Sequence, residues 1–404
     1  MRILLLVSVL LTLLILSCGA NEVPLTSIQK APTEKYVFPI EDFDPTHIDG
    51  NSQWEFNTGG DLIVPLSGTE KLLLSIVSDK DDGSRLLAIN VDDGTLSWDY
   101  SIEGLASGAP TYYEEHIYIG TKHGSLFCLS ASNGDLLWEK LLDDSILGSP
   151  VVNEDGIFVS AGRVYRLSTQ GDIIWKKKFG VRSVAPVRYL NGILLVISSD
   201  NMLYFLNADK GSKRNGYKIW FSASGGAAID SSAIYITGDK SFVQALDIYS
   251  EDYLFGRAIR WWWTKGWLYG LAPPPHYPPG YLWQTRRLGG KGHLSEPIKI
   301  SPTRHLVQSI AMTERSRVIR FDPIKGTVIW ETPNQNTSFT DSAVKLDKFL
   351  FLSTKSGNTM ILNYDTGDLI HNFQTGLISQ GPIAIKNKLI LGLSSGTLWA
   401  IALN

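Results

Sequence analysis

One short pattern recurs along this chain and narrows the folds open to it. The clearest copies are Leu86-Leu-Ala-Ile-Asn-Val-Asp-Asp-Gly-Thr-Leu-Ser-Trp98, Leu126-Phe-Cys-Leu-Ser-Ala-Ser-Asn-Gly-Asp-Leu-Leu-Trp138 and Val318-Ile-Arg-Phe-Asp-Pro-Ile-Lys-Gly-Thr-Val-Ile-Trp330. Val164 to Trp175 repeats it with one residue fewer. Leu203 to Trp220 and Phe242 to Trp283 match at both ends around longer middles, and Met360 to His371 carries His where Trp is expected. Each copy reads as a strand, a tight Asp/Asn-Gly turn and a second strand, because glycine supplies the positive φ and β-branched or aromatic residues suit the flanks. Two further short strands precede each copy, as in Ser149-Pro-Val-Val152 and Gly156-Ile-Phe-Val-Ser160, giving four strands per unit.

The marker positions 54, 98, 138, 175, 220, 283, 330 and 371 are spaced by 44, 40, 37, 45, 63, 47 and 41 residues. Four-stranded units of roughly 40 to 45 residues are the signature of propeller blades. Trp54 sits in a fourth strand with no third strand before it, and Leu398-Trp-Ala-Ile-Ala-Leu403 is a third strand with no fourth after it. Joining them completes one blade and removes two sheet edges. The expected fold is therefore all-β: an eight-bladed β-propeller of four-stranded antiparallel blades, closed by pairing of the N-terminal strand with the C-terminal blade. Trp54, Trp98, Trp138, Trp175, Trp220, Trp283 and Trp330 read as structural rings packed between blades, and His371 as a satisfied structural group.

Ahead of the repeats, Arg2 precedes an apolar run from Ile3 to Leu16 that is too short for a bilayer, which needs about 20 residues. Residues 1–17 read as a signal peptide. Ile15-Leu16-Ser17-Cys18 resembles a bacterial lipobox, which makes Cys18 the lipid-attachment residue, with a plain secretory signal as the alternative. Residues 18–48, holding Pro24, Pro32, Pro39 and Pro45, read as the lipidated N-terminus and tether. The propeller is placed at 49–404.

The pattern Leu-x-Ala-Leu-Asp-x-x-x-Gly-x-x-x-Trp resembles the repeat of pyrroloquinoline-quinone-type propellers, over about residues 50–404. Two branches of that family bear on function. The quinoprotein dehydrogenases use a vicinal cysteine pair and a carboxylate-held calcium ion, whereas Cys128 is the one cysteine beyond Cys18. The other branch, the assembly lipoprotein BamB, combines a lipobox with eight such blades. That likeness implies a non-enzymatic scaffold without a cofactor, anchored in the bacterial outer membrane and facing the periplasm, with protein partners in a β-barrel assembly complex.

Catalytic motifs are sparse. Gly392-Leu-Ser-Ser-Gly396 fits the nucleophile-elbow spacing but lies in a strand context with no helix to follow. The seven histidines show no metal-ligand spacing. A net charge of −3 gives no reason to expect nucleic acid. The composition, 44% hydrophobic and 19% charged, excludes disorder. A quinone-dependent dehydrogenase and a glycan- or ligand-binding module using Trp261, Trp262, Trp263 and Trp267 remain the alternative functions.

One region departs from the repeat. The 63-residue step holds an insertion at about 250–283, rich in Trp, Tyr and Pro, and the preceding unit reads as having an expanded turn, Lys210 to Lys218. From Lys210 to Lys291 there are 11 basic and five acidic residues, net +6, which leaves −9 for the rest. Arg257, Arg260, Trp261, Trp262, Trp263, Trp267, Tyr269, Tyr277 and Tyr281 are the candidate partner-binding residues, since Trp, Tyr and Arg dominate interface hot spots and proline stiffens a loop. The alternative is a self-packed lid. In a bacterial host fed labelled palmitate, the wild-type chain is expected to incorporate label and Cys18→Ala to lose it; label retained by the variant removes the anchor.

Overall fold

Side chains on a strand alternate between two faces, so a strand apolar at every position must be covered on both. Leu72–Ser78 is such a strand. In the computed structural model of the chain, Leu74 and Ile76 pack toward the following sheet, and Leu73 and Val77 join residues of the C-terminal sheet. The structure describes residues 44–403 except 49, 80–82, 220–226, 230–232, 239–241, 248–258, 260–261, 264, 267–268, 272–280, 286–297, 301–309, 314–316, 323–325 and 333–337. The leader, Cys18 and most of the tether thus lie outside the described residues.

The protein is an all-β propeller of four-stranded antiparallel blades. Among the described residues there are eight such sheets. In chain order they occupy 67–102, 111–141, 151–177, 188–218, 227–285, 298–331 and 339–374, with the last formed by 378–402 and Trp54–Asn57. The pairing expected between the two ends of the chain is present: Trp54 lies opposite Ala400 and Asn57 opposite Thr397. Gly392–Gly396, the elbow-like motif, spans the hairpin between Lys388–Leu393 and Thr397–Ala402.

The core lies between sheets. Each cluster of buried apolar side chains spans two consecutive sheets, as when Tyr118 and Cys128 of the second meet Ile157 and Tyr165 of the third. One cluster joins Trp54, Ile390 and Leu398 of the last sheet to Leu73 and Ile89 of the first. Lys386 and Asp92, 2.7 Å apart, bridge the same junction at the surface.

A repeated contact fixes each junction. The turn between third and fourth strands carries a glycine at positive φ, and the fourth strand resumes through a register shift. The tryptophan ring of the preceding sheet lies against that glycine. A Cβ on Gly94 would stand 2.6 Å from Trp54, one on Gly134 2.5 Å from Trp98, and one on Gly367 2.6 Å from Trp330. Each indole then donates to a carbonyl of the same turn: Trp54 to Val91 at 2.9 Å, Trp98 to Ala131 at 3.0 Å, Trp138 to Thr169 at 2.9 Å, Trp330 to Tyr364 at 2.9 Å. Trp175 donates to Ala208 and Asp209. In two sheets an arginine opposite the tryptophan grips the same turn, Arg166 on Asp209 and Arg320 on Asp365.

The fourth and seventh sheets differ. In the fourth, Gly211 already makes the turn and Lys213–Lys218 is the fourth strand. Asn215, opposite Phe205, holds the position that Trp98 holds opposite Ala88. Trp220, expected to be this sheet's structural ring, is not at that position and lies outside the described residues. Of the expanded turn expected from Lys210 to Lys218, only Lys210–Ser212 lie in a turn, and Lys213–Lys218 is strand. The sequence pattern misplaced both because Asn215 is not aromatic and Trp220 was the next tryptophan along. In the seventh sheet His371 takes the tryptophan place, and its Nε2–H donates to the Ile48 carbonyl at 2.7 Å.

These two exceptions face the two sheets without a short glycine turn. The fifth sheet has residues 248–280 between its third and fourth strands. The last sheet draws those strands from opposite ends of the chain, and Ile48 and Gly50 occupy the space beside His371 and Phe373. A tryptophan is kept where there is a glycine turn for it to lie on.

Gly134→Ala is expected to destabilise by about 2–4 kcal/mol, combining left-handed strain with collision against Trp98. Gly192→Ala, at φ +76 with nothing within 4 Å, is expected to lose only about 1–2 kcal/mol. Urea unfolding of both variants checks this, and equal losses would remove the role given to the tryptophan. Burial pushes the Cys128 thiol up to about 11 from 9.0 and the Tyr189 hydroxyl up to about 12 from 10.0, the latter helped by its bond to Asp155. Both groups hold their protons more tightly when folded, so their contribution is complete below about pH 9 and lost as pH rises toward about 12. Urea midpoints measured across that range are expected to hold steady and then fall.

Candidate functional site

The fifth sheet carries the insertion. Its third strand, Phe242–Asp247, and its fourth, Tyr281–Thr285, pair as in the other sheets, with Trp283 opposite Ala245. Trp283 therefore stands at the register position that Trp98 holds opposite Ala88. Tyr281, one of the candidate partner-binding residues, is the first residue of the fourth strand, opposite Leu246. Arg257, Arg260, Trp261, Trp267 and Tyr277 lie outside the described residues.

The described part of the insertion contains helical backbone at Ile259, Trp262, Trp263, Lys265 and Gly266. The five prolines all come later, from Pro273 onward, and lie outside the described residues. Trp and Ile are moderate helix formers, and no proline interrupts residues 259–266. The turn ends through bonds from Tyr269 N–H to the Lys265 carbonyl, 3.1 Å, and Leu271 N–H to the Gly266 carbonyl, 2.8 Å. Gly270, at φ +72, lets the chain leave the helix.

Ile259, Trp262 and Trp263 are large apolar residues within this stretch. Ile259 is 52% exposed, Trp262 69% and Trp263 42%. Tyr269 and Leu271, just past the helix, are 76% and 84% exposed.

A second apolar surface was missed in the sequence because its residues belong to the repeat itself. Leu136, Leu137 and Leu141 on the outer strand of the second sheet, and Ile173 and Ile174 on that of the third, are all exposed. These strands end their sheets, so one backbone edge of each has no neighbour within its own sheet. Among the described residues no group of three or more His, Cys, Asp or Glu is placed to hold a metal ion. Cys128 is a free, buried thiol.

A family model described as "Outer membrane protein assembly factor BamB" matches residues 40–229 and, in a second placement, 147–404. The chain belongs to that family. The two placements overlap, as near-equivalent repeats allow. No curated protein matches the chain. Among solved structures, BamB from Moraxella catarrhalis is similar at 16% identity and a TM-score of 0.63, over 87% of this chain and 97% of that one. The computationally designed protein Ika8 is similar at 12% identity and a TM-score of 0.64, over 88% and 99%. Sqt1 of Saccharomyces cerevisiae gives 12% and 0.62, also over 88% and 99%. At such identities the likeness carries the fold. The BamB family relation carries the further point that a protein-interaction role suits this propeller.

Proposed function

We propose that the chain is a non-enzymatic protein-interaction scaffold of the bacterial envelope, serving outer-membrane β-barrel assembly. The observation that carries this reading is the family match, which runs from residue 40 to the last residue. In this reading the ring has eight blades and is closed by Trp54–Asn57 on the C-terminal sheet, a count and closure supported by the strand pairing and by the cluster joining the last sheet to the first. A lipid on Cys18 holds it to the outer membrane, facing the periplasm; the lipobox supports this part.

The partner contact is placed on the outer strands of the second and third sheets. An extended segment of a partner can add to an exposed strand edge, with main-chain bonds giving affinity and side chains giving selectivity. Leu136–Leu141 and Ile173–Lys177 offer such edges with exposed aliphatic side chains beside them. Docking on a ring whose junctions are fixed by tryptophan contacts carries little ordering cost on the scaffold side.

Crosslinking of the full-length chain in native envelopes is expected to capture a subunit of the β-barrel assembly machinery. Capture is expected to fall about tenfold in the double variant Leu137→Glu/Ile174→Glu, whose surface positions leave the thermal transition unchanged. Undiminished capture by the double variant moves the contact elsewhere. Failure of the wild type to capture any assembly subunit removes the scaffold reading.

A further inference from the structure

The outer strands share one charge pattern, and the third sheet reverses it. Directly after the tryptophan, the first, second, sixth and last sheets carry an acid: Asp99, Glu139, Glu331 and Glu55. The third carries Lys176, with Lys177 and Lys178 behind it. Strand geometry turns this run into a surface, because alternate residues point to one side. Ile174, Lys176 and, one residue past the strand, Lys178 are exposed, while Trp175, Lys177 and Phe179 are half-buried.

We propose that this edge receives an extended acidic segment of a protein partner, added antiparallel to Ile173–Lys177 and reading acid-x-acid-x-aliphatic. The proposal rests on the partner contact placed on the outer strands and names the chemistry of what docks there. Residues directly opposite in an antiparallel pair lie on the same face, so the two acids fall opposite Lys178 and Lys176 and the aliphatic residue opposite Ile174.

The edge is held ready for a fourth neighbour. Its half-buried side is fastened to the following sheet: Trp175 donates to the Ala208 and Asp209 carbonyls, and Lys177 Nζ donates to the Lys210 carbonyl at 2.7 Å. The side with Ile174 and Lys176 is left outward, and the strand's second backbone edge has no neighbour within its sheet. A strand already fixed in place loses little freedom when another joins it.

Charge supplies the selectivity. Lysines on an edge deter pairing with neutral or basic strands, and a segment with acids at the matching positions turns that deterrent into attraction. Lys176 Nζ stands 3.4 Å from Asp143, which also meets Arg163 at 3.6 Å. The Lys176 and Asp143 side chains are 43% and 47% exposed, and so open a pair contributes little. A partner carboxylate can therefore take Lys176 while Arg163 keeps Asp143 paired.

The test uses the full chain in detergent and a labelled short peptide with the core Glu-Thr-Glu-Thr-Val, read by fluorescence anisotropy. Binding is expected, weaker at high salt, with none to the Lys-Thr-Lys-Thr-Val counterpart. Lys176→Glu/Lys178→Glu is expected to weaken the acidic peptide about tenfold and to gain the basic one, which also shows that the variant is folded. Strand addition is read separately by N-methylating alternate peptide residues in the two possible phases. One phase removes the amides that face the scaffold and is expected to abolish binding, while the other keeps it. A wild type that does not prefer the acidic peptide, a double variant that binds like the wild type, or two methylated phases that bind alike overturns the proposal. If the peptide fails while the wild type still captures an assembly subunit, this inference falls and the scaffold reading stands. Peptide binding without such capture is the converse.

Discussion

Everything in this propeller depends on one contact between neighbouring sheets: an indole laid on a turn glycine, with its N–H bonded to a carbonyl of the same turn. Sheets that meet only through aliphatic side chains can slide, because hydrophobic burial has no direction. A hydrogen bond from Trp98 to Ala131, with Gly134 leaving no room beneath the ring, has direction and a fixed distance. The same bond recurs at Trp54, Trp138, Trp175 and Trp330 and ties each of those sheets to the next. The glycine serves two needs at once, since the turn requires positive φ and the ring requires the absence of a Cβ.

The two places where the tryptophan is replaced follow from the same contact. Asn215 precedes the sheet whose turn has become the insertion, and His371 precedes the sheet assembled from both chain ends. In neither case is there a short glycine turn to receive an indole. At the second, a smaller ring still finds a carbonyl, that of Ile48, so the N-terminal segment takes over the part played elsewhere by a hairpin. The insertion thus sits where the repeat has been relaxed on both sides of a junction.

Much of this was legible in the residues. Recurring Gly-x-x-x-Trp at steps near those of a blade pointed to four-stranded units, and the stray half-repeats at the two ends pointed to the pairing of Trp54–Asn57 with the last strand. The pattern misled where its marker was missing: Trp220 was taken for the fourth ring because nothing aromatic stands at 215, although Gly211 was in its proper place. Counting from the turn glycine would have found the strand. The insertion was visible as composition, but the helical backbone at Ile259, Trp262, Trp263, Lys265 and Gly266 was not. Tyr281 was assigned to the insertion because its membership of a strand is set by pairing with Leu246, a partner distant in sequence.

The sequence by itself determined the local grammar of this protein: alternating apolar strands, glycine turns, and an aromatic residue at a set distance after each turn. Those follow from backbone sterics and side-chain period, which act over a few residues. Only the tertiary structure decided which residue occupies each junction, what His371 bonds to, and which apolar side chains are left in water on the insertion and the outer strands. These depend on the register between strands and on the packing of one sheet against the next, and both are interactions among residues that the chain holds far apart.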